Sequence, residues 1–179
     1  MVRLKYFPHL TGSLVLASAA TVGMLNKWEP AKGSPDAHLV VYADKLAGGL
    51  GTVCSGITKH VATIPVIVGE KWTPGMCLEQ ESQALEKVQN TLVKCFKTLP
   101  PQSTFDAATS HAWNFGASKT CSSQAMKQWN AGNFKLGCTL IASTYDGKPN
   151  WSFSDGKFIQ GLQNRRQDEV KLCLRDVPT

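Results

Sequence analysis

Several things are missing from this chain, and each absence narrows what it can be. There is no Cys-x-x-Cys pair and there are only four His, so neither a zinc ribbon nor a His/Cys metal site is expected. No cofactor motif stands out, and neither a metal nor a cofactor is assigned. No run of basic residues exceeds two, although Lys and Arg number 19 against 13 Asp and Glu. A nucleic-acid-binding arm is therefore not expected, and the net charge of +6 is read as solubility or a general attraction to polyanions. Internal repeats and low-complexity stretches are also lacking. Between Phe7 and Asn26 there is no Asp, Glu, Lys or Arg at all.

That last gap is informative because Arg3 and Lys5 precede it. A basic start followed by an apolar stretch diluted with Gly, Ala, Ser and Thr is an export signal. It approaches the length of a membrane span but is too weak to hold one firmly. Two export readings stay open: cleavage after Ala17-Ser18-Ala19, or an uncleaved anchor that later leaves the membrane. Residues 1–26 are thus expected to be an export segment and residues 27–179 one folded domain, since 179 residues with 42% apolar content can bury a proper core. The six cysteines, Cys54, Cys77, Cys95, Cys121, Cys138 and Cys173, are scattered and even in number. They fit an oxidising compartment and up to three disulfides.

The coarse element pattern changes along the chain. Strand composition is expected over residues 38–42, then a Gly-rich turn at Gly48-Gly49 and Gly51, a strand over 52–58 and a third short strand over 64–68. Thr73-Pro74 starts the longest helix, which places Leu78, Leu85, Val88, Leu92 and Phe96 on one face and ends near Lys97 before Pro100-Pro101. Helices follow over 104–115, with Phe105, Ala108, Ala112 and Phe115 on one face, and then over 123–131, 134–143 and 160–174. An irregular hairpin carrying Trp151 and Phe153 is expected between the last two. This is an α+β chain with a small β lobe and a helical lobe joined by a long helix, leaving a cleft between them.

Chemistry concentrates in residues 27–58. Glu29 follows Trp28, Asp44 ends the apolar run Val40-Val41-Tyr42-Ala43, and Thr52 opens the strand beyond the Gly-rich turn. Two carboxylates of different environment beside a hydroxyl suit glycosidic-bond hydrolysis. Cys54 is an implausible nucleophile because no adjacent His activates it, His60 being six residues away.

The order aromatic-Glu, then Val-Tyr-x-Asp, then Thr52 with Gly56 and Thr58 resembles the phage-type lysozymes of glycoside hydrolase family 24. Three later segments agree: His111-Ala112-Trp113-Asn114-Phe115-Gly116, Met126-Lys127-Gln128-Trp129-Asn130-Ala131-Gly132, and Gly161-Leu162-Gln163-Asn164-Arg165-Arg166. The resemblance covers about Trp28 to Cys173, and the N-terminal segment resembles the signal-arrest-release segments of exported endolysins. It implies a lysozyme-like two-lobed fold and a muramidase that hydrolyses the β-1,4 bond between N-acetylmuramic acid and N-acetylglucosamine, with inversion. Glu29 would be the acid, and Asp44 with Thr52 would hold or activate the water. Arg165, Asn114 and Tyr42 would support the site, Arg165 lying near the acid. The partners implied are peptidoglycan and, through residues 1–26, the inner membrane; the location is the periplasm of a bacterial host, and the protein is expected to be monomeric. This sequence departs from the family pattern at Pro30, where a Gly is usual, and its Glu29–Asp44 interval is about six residues longer. Asp36 is therefore the competing acid. An inactive exported peptidoglycan-binding protein is the alternative reading. Cys77 and Cys95 fall at opposite ends of one helix, about 27 Å apart, and cannot pair with each other; of the fifteen pairings that six cysteines allow, Cys54–Cys77, Cys95–Cys121 and Cys138–Cys173 is the set guessed. With no Cys before Cys54, control by a thiol from the N-terminal segment is not expected.

Overall fold

A computed structural model describes residues 14–28, 37–45 and 48–178. By their packing the residues form two units, one of residues 1–25 with 88–179 and the other of residues 26–87.

The 26–87 unit is built on a meander. Strands β1 (Tyr42–Asp44), β2 (Leu50–Val53) and β3 (Ile57–Thr58) pair antiparallel in that order. Tyr42 faces Thr52, Asp44 faces Leu50, and Thr52 faces Thr58 across the other edge of β2. The strand expected over 52–58 is broken in two, because Cys54 and Gly56 both take positive φ and turn the chain. Residues 37–39 form a 3-10 turn, not the start of a strand. The third strand expected over 64–68 does not form. Pro65 has no N–H to give a ladder, and the segment instead crosses β2 as a loop before returning at Lys71, which bridges to Val40. Leu39, Val41, Val53, Ile57 and Trp72 are the buried interior of this unit.

Helix α2 (Pro74–Cys95) starts where Thr73-Pro74 places it, and Thr73 Oγ1 accepts the Met76 N–H at 3.2 Å. Its inner face differs from the expected one at the start. Leu78 is 68% exposed, whereas Cys77, Ala84 and Leu85 are buried. A seven-residue spacing drifts about 20° per repeat on a straight helix, so the stripe ending in Leu92 and Phe96 begins at Cys77, not at Leu78.

The other unit is helical: α1 (Ala19–Trp28, whose last residues pass into the 26–87 unit), α3 (Gln102–Phe115), α4 (Ala117–Ser122), α5 (Gln124–Asn130), α6 (Phe134–Thr139) and α7 (Gln160–Leu174). α3 was expected to bury one face, yet residues 103–112 are buried without interruption. Ala, Ser and Thr make it slim enough for neighbours on all sides, with α7 its main partner. Around it Phe96 stacks on Trp129 at 5.7 Å and meets Phe105 at 6.3 Å. Helix α6 stops four residues short of the expected end, and α4 was not expected. Strands β4 (Phe153–Ser154) and β5 (Lys157–Phe158) pair around Asp155-Gly156, both at positive φ as a two-residue hairpin turn requires.

The three disulfides are Cys54–Cys77, Cys95–Cys121 and Cys138–Cys173, the pairs named from the sequence. Among the described residues, no helix is long and apolar enough to cross a membrane. Residues 14–25, assigned to an export segment, pack with the helical unit. Leu14 enters its core, Val15 exchanges two hydrogen bonds with Gln102, the Ala17 N–H reaches Gln89 Oε1 at 3.0 Å and Thr21 Oγ1 donates to Asp106 Oδ1 at 3.0 Å.

Candidate active site

The β1–β2 hairpin sets the geometry. Successive side chains on a strand alternate between faces, so Tyr42 and Asp44 on β1 share a face with their partners Thr52 and Leu50 on β2. Ala43 and Gly51 point the other way. A Cβ on Gly51 would stand in ordinary contact with Val41, Val68 and the Val66 carbonyl, so that face is turned toward the 66–68 segment. Asp44 and Thr52 are thus diagonal neighbours, roughly 7 Å apart. The turn is closed by the Gly49 N–H donating to the Asp44 carbonyl at 2.7 Å.

Thr52 is 5% exposed, and its hydroxyl donates to the Leu50 carbonyl at 3.1 Å. That bond uses the hydroxyl hydrogen and leaves the Oγ1 lone pairs as acceptors. A water beside this face can therefore give one hydrogen to Thr52 and the other to Asp44, keeping an oxygen lone pair for attack. Tyr42 stands at the outer end of the same face, about half exposed. Glu29 and its competitor Asp36 lie outside the described residues.

Arg165 and Asn114 belong to the helical unit, where they join a network that only the fold reveals. Glu169 Oε1 accepts from Ser110 Oγ at 2.7 Å, Arg166 Nη2 at 2.7 Å and Arg165 Nε at 3.3 Å. Arg165 also donates to the Ser110 carbonyl, and Arg166 to Asn114 Oδ1 at 3.0 Å. Both arginines and Glu169 are buried. Burial pushes the Glu169 carboxyl up, against the pull of the Arg166 and Arg165 guanidiniums. Asn114 therefore acts as an acceptor for Arg166, and Arg165 is held between α3 and α7 by Glu169 and Ser110.

Beside this cluster lies His111, which the sequence reading did not single out. The Thr120 hydroxyl gives its hydrogen to the Gly116 carbonyl at 3.1 Å, so at 2.8 Å from Nδ1 it accepts the imidazole N–H. Nε2 then carries a lone pair and has no hydrogen-bond partner. Phe115 and Trp151 enclose the ring, with centroids at 5.3 and 4.7 Å. Burial, then Arg166 and Arg165, hold its pKa well below the usual imidazole value. The one sequence signal for this cluster is Arg165 and Arg166 at i−4 and i−3 from Glu169 on a helix.

The fold is shared with related proteins. The family model for phage lysozyme matches residues 36–169. The chain belongs to the phage lysozyme family. Its curated relatives include the SAR-endolysin of Enterobacteria phage PA-2, 25% identical over 91% of this chain and 88% of the relative, and the SAR-endolysin of Pseudomonas phage phiKMV, 29% identical over 70% and 73%. Among solved structures, the endolysin of Escherichia coli O157:H7 phage FAHEc1 aligns at TM-score 0.63 and 27% identity, over 94% of this chain and 99% of that one. The active form of P1 phage endolysin Lyz aligns at TM-score 0.69 and 19% identity, over 92% and 88%. As a phage lysozyme, the chain has the α+β architecture expected from its element pattern and the lysozyme-like fold that the family resemblance implied.

Proposed function

We propose that this lysozyme is an exported endolysin that breaks the host wall by hydrolysing the β-1,4 bond between N-acetylmuramic acid and N-acetylglucosamine. The observation that carries the reading is the hairpin face on which Asp44 and the Thr52 acceptor stand together. Glu29 protonates the leaving oxygen. Asp44 removes a proton from the water it shares with Thr52, and that water attacks the anomeric carbon from the opposite side. Attack by water without a covalent intermediate inverts the anomeric configuration.

Residues 1–26 take the chain to the inner membrane, and leaving the membrane frees residues 14–25 to dock on the helical unit. While those residues are in the bilayer, the hydrogen bonds of Val15, Ala17 and Thr21 to Gln102, Gln89 and Asp106 cannot form. The tethered form is accordingly inactive, and release activates it. Equal lytic activity in membrane-bound and released fractions would overturn this control.

The catalytic assignment is tested by release of reducing ends from purified peptidoglycan. Glu29→Gln and Asp44→Asn should each lower the rate by about 10²–10⁴-fold. A Glu29→Gln protein as active as the parent removes Glu29 and moves the test to Asp36→Asn. The anomeric form of the first product, read by NMR, tests inversion.

A further inference from the structure

On the 26–87 unit, a groove of about 480 Å³ plays no part in the chemistry above. It is lined by residues 48–51, by Val66 and Val68, and by Lys59 and His60. Gly48 and Gly49 take φ of +65° and +84°, and nothing lies within 4 Å of where a Cβ would stand on either. This wall is therefore bare, accessible main chain. Lys59 and His60 are exposed, and neither forms a salt bridge with a described residue. Among the described residues, no acidic side chain lines the groove.

The lining selects a ligand class. Lys59, the charged side chain among the described lining residues, favours an anion. Valine methyls and glycine main chain favour small apolar groups and a peptide backbone. A sugar is a poor fit, because the described lining residues include no Phe, Tyr or Trp ring and no amide or hydroxyl side chain. The volume is in the range of small-ligand sites. The location matters as well: Gly48 and Gly49 lie in the turn between β1 and β2, Leu50 and Gly51 begin β2, and the Gly49 N–H is hydrogen bonded to the Asp44 carbonyl.

We infer that this groove binds the acidic stem peptide carried by the glycan strand that is being cut. The inference rests on the muramidase reading for its source of peptide. Stem peptides carry several carboxylates and D-alanine methyls, and they branch from the muramic acid residues beside the scissile bonds. Contact there would use binding energy remote from the reacting bond to hold the strand on Asp44.

The test uses the full chain and a synthetic stem tetrapeptide, L-Ala-γ-D-Glu-meso-diaminopimelate-D-Ala, followed by amide NMR. Shifts should fall on residues 48–51, 59 and 60, and should vanish in the double variant Lys59→Glu/His60→Gln, whose two sites are exposed. On peptide-bearing wall the variant should lose about three- to tenfold in kcat/KM. On glycan stripped of peptide by an amidase it should match the parent. Shifts located elsewhere, the same shifts produced by peptide-free glycan, or equal losses on both substrates would each overturn the assignment. A parent protein that shows the peptide shifts but releases no reducing ends supports the groove and removes the muramidase reading instead.

Discussion

In the proposed mechanism Asp44 and Thr52 divide the handling of one water. Thr52 is buried with its hydrogen committed to Leu50, so it can only accept. Thr52→Ala should lower reducing-end release by roughly ten- to a hundredfold, the value of one hydrogen bond to a charge-developing group. Thr52→Ser keeps the acceptor and should retain most activity; equal losses in the two variants would show that the methyl, not the oxygen, matters.

His111 makes a second residue-scale prediction. Its folded pKa is depressed, so the unfolded chain takes up a proton below about pH 6.5 that the folded chain refuses. The stability it contributes is complete above that pH. It falls by at most about 1.4 kcal/mol per pH unit as pH drops, until folded His111 itself protonates. Glu169 acts in the opposite sense: its raised folded pKa favours the fold at low pH and is lost as pH rises. Urea unfolding at pH 7.5, 6.5 and 5.5 should therefore show a slope in the parent that a His111→Phe variant lacks, and an unchanged slope removes His111 as its source.

At the scale of elements, capping and stop signals were readable because they are local. Thr73 caps α2, Ser123 accepts the Met126 N–H at the start of α5, and α7 spans the expected residues. Strand ends and helix faces depended on neighbours. Pro65 removed a strand, the Cys54 and Gly56 turns split another, and α3 is buried all round because α7 and other partners surround it. Docking of residues 14–25 belongs to the same scale. Thr21 and Gln102 are the donors to the buried Asp106 Oδ1. Thr21→Val removes one of them and should cost about 1–3 kcal/mol. In a domain of this size that is a fall in Tm of roughly 2–4 °C per kcal/mol. A thermal scan of the released protein checks it, and an unchanged Tm would mean that α1 docking adds nothing to the fold.

For the whole molecule the disulfides set the stability ledger against the oxidising compartment. They close loops of sequence separation 23, 26 and 35, each contributing about 3.5 kcal/mol by loop closure. Cys138 and Cys173 are both 0% exposed, whereas Cys54, Cys95 and Cys121 are half-buried. Exchange needs thiolate access to a sulfur, so mild reductant should open Cys54–Cys77 and Cys95–Cys121 before Cys138–Cys173. Timed alkylation with peptide mapping reads the order, and early loss of Cys138–Cys173 would mean that the helical unit opens first.

Sequence alone determined the α+β class and most of the element order, through turn glycines, caps and periodicity, and motif order singled out Asp44 and Thr52 as candidates. The three cysteine pairs were one choice among fifteen, which the fold then showed. Only the tertiary structure decided which side of each helix is buried, that Arg165 and Arg166 meet at Glu169, and that burial beside two arginines holds the His111 pKa down. It also placed the basic groove beside the Asp44 turn. Those outcomes depend on desolvation and on contacts between residues distant in sequence, such as Ser110 and Glu169, and no local pattern encodes them.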